Sequence, residues 1–175
     1  MDWQRELVIA HLVKQKIAEV DVKGLWENTL PGVAVPEEQI RVLEARIASA
    51  LDPQYRKFLL HANGWRAFMQ GIDVFSLEDF LGGTRAERAV ELVESLEPLA
   101  ELCGLGKHQL LPIAVSADDI DVMLMATPDT ECAGKIFWFA GGLMEDFIGF
   151  DEWFLAMVDY NRQEYQRLLA ALPTH

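Results

Sequence analysis

Asp118, Asp119 and Asp121 form the best candidate set for chemistry in the chain, because three carboxylates so close together can ligate a hard cation. An EF-hand loop would continue with another oxygen ligand and then a glycine for the sharp turn. Met123 and Leu124 occupy that stretch instead, so the run reads as a solvated turn entering a strand. Gly141-Gly142 followed by Glu145 and Asp146 reads in the same way as a turn between strands. The acids at 118–121 or 145–151 would serve general acid-base catalysis only if folding placed them in one cleft with perturbed pKa values. His11, His61, His108 and His175 are far apart and lack the paired spacing of a zinc protease. His61 suits the last turn of a helix, where a cation meets the dipole. No serine sits in a Gly-x-Ser-x-Gly elbow, and neither phosphate-binding glycine pattern occurs. The expectation is a non-enzymatic protein without metal or cofactor.

Glutamates show a more regular pattern. Glu87, Glu91, Glu94, Glu97 and Glu101 recur at spacings of four, three, three and four, placing five carboxylates on one side of a helix if Pro98 leaves it straight. Like charges at i,i+4 cost a helix about 0.2–0.5 kcal/mol per pair, and Arg85 and Arg88 are the nearby bases that can offset them. Such a stripe is either a solvated face that maintains solubility or a ridge that speeds encounter with a basic partner and fixes its register. Asp118, Asp119 and Asp121 are the other acids expected at a partner surface.

Charge over the whole chain points the same way. Among 175 residues, 28 acids against 15 Lys and Arg give a formal net charge of −13. A surface this acidic repels phosphate backbones and anionic lipid and attracts basic proteins, which argues against direct nucleic-acid or membrane binding. No apolar run approaches the ~18 residues of a membrane span. The N-terminus carries charges where a signal peptide would be apolar, so a cytoplasmic protein is expected. Cys103 and Cys132 lack metal-ligand spacing and read as reduced packing residues. The length suits one domain over 1–175.

Elements follow from periodicity. Trp3, Leu7, Ala10, Val13, Ile17 and Val20 line one face of a first helix capped by Asp2. Pro36 opens a second, with a stripe of Ile40, Leu43, Ile47 and Leu51, and Asp52-Pro53 closes it and starts a third. Asn63-Gly64 is expected to end that third helix. Short strands follow around Gly71, then a helical turn from Ser76, and Thr84 with Glu87 makes a capping box for a helix to Cys103 that Pro98 kinks or splits. QLLPIAV, DVMLMAT and KIFWFA read as strands, joined by a fourth near 143–148. No helices separate them, so they should pair antiparallel, with Pro112 at an edge or a bulge. A final helix capped by Asp151 presents Phe154, Val158, Tyr165, Leu169 and Leu172, with Trp153 and Met157 beside them. The class is α+β.

The order PQYRKFLLHANG, IDVFSLEDF, LLPIAV, KIFWFA and DEWFLAMV, spanning Leu30 to about Val158, resembles the SUKH superfamily. That group contains fungal Smi/Knr-type cell-wall regulators and many bacterial immunity proteins. The resemblance implies a central, mainly antiparallel sheet flanked by N-terminal helices and a long C-terminal helix. It also implies that Pro53, Tyr55, Phe58, Leu59, Asn63 and Gly64 are scaffold. For bacterial members it implies neutralisation of a polymorphic or contact-delivered toxin, often a nuclease, in the cell that makes it. The basic partner would then be a toxin domain; the alternative is an adaptor or regulator that binds an endogenous protein. The acidic stretch 84–104 reads as a helical insertion.

Overall fold

The computed structural model describes residues 1–96 and 98–172. Three helices come first: α1 (Trp3–Val20), α2 (Glu37–Ile47) and α3 (Pro53–Leu59). Strands β1 (Trp65–Met69) and β2 (Ile72–Val74) form a hairpin, a 3-10 turn covers Asp79–Leu81, and α4 (Thr84–Ser95) and α5 (Leu99–Cys103) follow. A second 3-10 turn leads into β3 (Leu110–Ser116), β4 (Asp121–Ala126), β5 (Ile136–Ala140) and β6 (Leu143–Phe147), and α6 (Phe150–Ala170) closes the fold. All six strands pair antiparallel in chain order. This is the α+β class, with helices on both sides of one meander. No described helix is long and apolar enough to cross a membrane.

Alternation along β4 shows how the sheet is buried. Met123 and Met125 join a core with α1, α2, α3 and α6, whereas Val122, Leu124 and Ala126 join a second core with α4 and α5. Successive strand side chains point to opposite faces, so the sheet is the middle of three layers. Double-sided burial explains why the central strands are apolar without interruption.

The first core is aromatic. Trp3 meets Phe58 and Phe154 edge-on at 5.3 and 5.1 Å, and Tyr55 meets Phe150 at 4.8 Å. Asp52 starts α3 by accepting from the Gln54 and Tyr55 amides, with Pro53 in the first turn. The Tyr55 hydroxyl donates to Phe75 O at 2.7 Å, tying α3 to the chain just past β2.

Asn63 and Gly64 do not end α3, which stops at Leu59 with Leu60 as its cap. Asn63 Oδ1 accepts from the Leu77 amide at 2.8 Å and Nδ2 donates to Glu78 at 3.0 Å. Gly64 has φ +72°, and a Cβ there would lie 2.7 Å from Val74 O and from Ser76 N. The pair joins two crossing segments at the entry to β1, a scaffold role that involves long-range partners and not the helix end. His61 Nδ1 lies 2.9 Å from Lys57 O at the end of α3.

Several boundaries differ from expectation. Gly83 caps α4 with no side-chain bond, so Thr84 is its first residue and the Thr84–Glu87 capping box is absent. Gly82 and Gly83, at φ +117° and +110°, take conformations closed to residues with a Cβ, and that turn sets where the helix begins. Pro98 separates α4 from α5. Gly149, not Asp151, caps α6. The inner stripe of α6 runs through Trp153, Phe154, Met157, Val158, Asn161, Glu164 and Leu168, leaving Leu169 exposed. The helix α2 ends at Ile47 with left-handed Ala48, four residues before buried Leu51. Pro112 stands beside a bulge in β3, beyond the end of its pairing with β2, where a missing N–H costs no ladder bond.

Candidate protein-binding surface

Helix α4 positions the glutamates by what its other side does. Ala89, Leu92 and Val93 are buried against the sheet, with Leu96 just beyond. Burying a Leu or Val side chain contributes about 1.5–3 kcal/mol, enough to hold the helix against the cost of its like charges. Glu87, Glu91 and Glu94 consequently face solvent. Glu101 is exposed on the separate helix α5, so the stripe is not one straight five-residue ridge, and Glu97 lies outside the described residues.

The bases pair differently from expectation. Arg85 turns inward, its Nε 2.7 Å from Asp73 Oδ2 and its Nη1 2.9 Å from Asp79 Oδ2, and so does not offset the glutamates. Arg88 lies 3.4 Å from Glu91 and donates to Asp119 O at 3.0 Å, and Lys107 lies 3.2 Å from Glu94. Glu87 and Glu101 have no ion pair among the described residues.

The Arg88 bond brings α4 against the β3–β4 loop, so Asp118 and Asp119 continue the acidic surface. Asp119 is held through its amide to Ser116 Oγ at 2.9 Å, while its Oδ1 accepts from Ile120. Asp121 is a different kind of residue. Half-buried in β4, it accepts the Trp138 indole N–H at 2.7 Å. Burial raises its pKa, the indole bond opposes that, and the charge of Asp119 adds to it. It supports the sheet and is withdrawn from the outer surface.

Beside Asp118 and Asp119 a cleft of about 420 Å³ opens between this loop, the β1–β2 hairpin and the 25–27 segment. Its wall includes two non-glycine residues in left-handed conformation, Ala67 at φ 47° and Gln70 at φ 44°. Such residues persist only where surroundings over-determine them. The Ala67 amide donates to Asp73 Oδ1 at 2.6 Å, and its carbonyl accepts from the Lys14 ammonium. Lys14 is 5% exposed and also donates to Glu27 O at 2.9 Å. Burial lowers its pKa to about 8, against the raising effect of Glu27. Asp73 is in turn held by Arg85, so one buried polar chain runs from α1 through the bulge in β1 to α4.

Charge spacing in the sequence does not point to Lys14, Asp73 or the cleft. A signal for Lys14 was present: it stands four residues after Ala10 and three before Ile17, inside the apolar stripe of α1. Nothing local marks the bulge at Ala67. The other acids do not converge. Glu145 accepts from Tyr160 at 3.0 Å, Asp146 pairs with Lys135 at 3.1 Å, and Asp151 lies 3.6 Å from the N-terminal amine. Among the described residues no three His, Cys, Asp or Glu are grouped to hold a metal ion.

An antiparallel meander sheathed by helices on both faces, with an acidic outer helix and a cleft beside it, defines an α+β scaffold with one strongly polarised surface. The chain belongs to the SMI1/KNR4 family (SUKH-1), whose model matches residues 34–156. The match runs from just before α2 into the first part of α6 and includes α4 and α5, while α1 precedes it. Among curated proteins none matches.

Proposed function

We propose that the chain is a non-enzymatic protein-binding domain, an immunity protein that neutralises a basic toxin domain by stoichiometric occlusion in the cytoplasm of the producing cell. The observation that carries this reading is the division of α4: its apolar side covers the sheet, and its outer side presents Glu87, Glu91 and Glu94 next to the Asp119 loop. Nuclease domains carry basic, phosphate-seeking clefts, and an acidic ridge on a chain of net charge −13 can occupy one as a phosphate backbone would. Membership of the SUKH group supports the same role by kinship.

The test is capture by tagged protein from a lysate of its own cells producing their secreted toxins, followed by kinetics with the purified partner. A basic toxin whose association slows as salt rises is the expected result. Glu91→Lys with Glu94→Lys should reduce the association rate roughly 10- to 100-fold at low salt, because charge complementarity acts mainly on encounter. Binding indifferent to salt and to both substitutions would remove the ridge. Retention of an endogenous, non-toxic protein alone would favour an adaptor.

A further inference from the structure

We propose that the cleft beside Asp118 and Asp119 is an arginine-binding pocket, which receives one guanidinium side chain projecting from the basic partner. The inference rests on the reading above only for the source of the arginine; the pocket's chemistry stands by itself.

Accounting for each charged group at the cleft shows what remains available. Both oxygens of Asp73 are committed, to the Ala67 amide and to Arg85. Glu27 pairs with Arg66 at 2.9 Å on the rim, where both side chains are more than half exposed. Asp118 has no hydrogen-bond or ion-pair partner among the described residues, and Asp119 uses only Oδ1. At one exposed end of the cavity Asp118 and the second oxygen of Asp119 are therefore uncommitted, and among the described residues the lining base, Arg66, is already paired.

The rest of the lining selects among cations. Leu25, Trp26 and Ala117 contribute apolar surface, and Trp26 is pinned by its indole N–H to the buried Glu164 at 2.7 Å. A small hydrated metal ion gains nothing from such walls. An arginine gains at both ends, because its stem buries methylenes while its planar fork donates to two carboxylates. Lysine, a compact and strongly hydrated charge, satisfies only one of these requirements. About 420 Å³ accommodates the side chain with water around its head. The bulge that shapes the wall is held from behind by Lys14 and Asp73, so the cavity is preformed.

The experiment uses the full chain, ¹⁵N-labelled, titrated with N-acetyl-arginine amide, with N-acetyl-citrulline amide as the neutral isostere and N-acetyl-lysine amide as the alternative cation. Saturable shifts confined to the amides of Gln70, Gly71, Ala117 and Asp119 are expected with arginine. The lysine compound should bind more weakly, and citrulline should leave those amides unmoved. Asp118→Asn with Asp119→Asn should weaken the arginine compound roughly fivefold or more while amides elsewhere keep their positions. Equal responses to arginine and citrulline, shifts centred on Glu87–Glu94, or no saturation would each overturn the proposal. Lack of arginine binding beside salt-sensitive toxin capture removes the pocket and leaves the ridge. Arginine binding without any basic toxin partner keeps the pocket and removes the immunity role.

Discussion

Lys14 shows most clearly how one side chain organises this surface. Its ammonium is buried between α1 and the β1 bulge, with pKa lowered to about 8 from the usual 10.5. Between those two values the unfolded chain carries a proton on Lys14 that the folded chain does not, so stability rises with pH through that window and is unaffected by Lys14 below about 8. The denaturation midpoint measured from pH 7.5 to about 9.5 should accordingly climb, and Lys14→Met should flatten the slope. A full shift of that size corresponds to about 3 kcal/mol across the window. Asn63 and Gly64 act at the same scale by a different means. One saturates the Leu77 amide and the other permits a backbone approach that no Cβ would allow.

Among the elements, α4 has two unlike sides, one apolar against the sheet and one acidic in solvent. Leu92→Ala should cost about 2–5 kcal/mol, since it empties part of the second core. Glu91→Lys with Glu94→Lys should change stability by no more than about 0.5 kcal/mol per site, because Arg88 and Lys107 form only exposed pairs with them. Urea denaturation of both variants separates the packing side from the acidic side, and an equal loss in both would place the glutamates in the fold. The stretch that reads as an insertion thus supplies the layer covering one face of the sheet. The partly buried Asp73–Arg85 pair anchors the first turn of α4, so the helix is fixed to β2 at one end and to the β3–β4 loop through Arg88 further along.

At the scale of the whole molecule, α1 is the element that the matched family span leaves out and the fold nevertheless uses. It packs along α6, sends Trp3 into the aromatic core and, through Lys14, holds the Ala67 carbonyl from behind the cleft wall. Trp3→Ala should therefore cost about 3–5 kcal/mol in denaturation. A variant as stable as the parent would mean that α1 is dispensable to the core. Net charge belongs to this scale as well: it sets long-range attraction for a basic partner, whereas local pairing with Arg88 and Lys107 decides which parts of the ridge stay free.

The class and the strand sequence were legible in the chain because periodicity and uninterrupted apolar runs are local signals, and 110–116, 121–126 and 136–140 fall within them almost residue for residue. Antiparallel pairing of β3 to β6 followed from the absence of crossover helices between them, whereas the order of the six strands in the sheet was not legible and is a tertiary outcome. Caps were less legible: Thr84 and Asp151 have the right chemistry for capping, yet the backbone turn made by Gly82-Gly83 and the extended Gly149 set those helix starts. The face of α6 was misjudged between Leu168 and Leu169 because a wide apolar helix admits more than one stripe until a neighbour, here α1, chooses. The site depended most on tertiary structure. Acid spacing by itself suggested a five-residue ridge, but the break at Pro98, the inward turn of Arg85 and the docking of Asp119 on Arg88 are long-range outcomes. The cleft is assembled from segments as distant as Trp26, Ala67 and Asp118, and their proximity is created only when the sheet and α1 pack together.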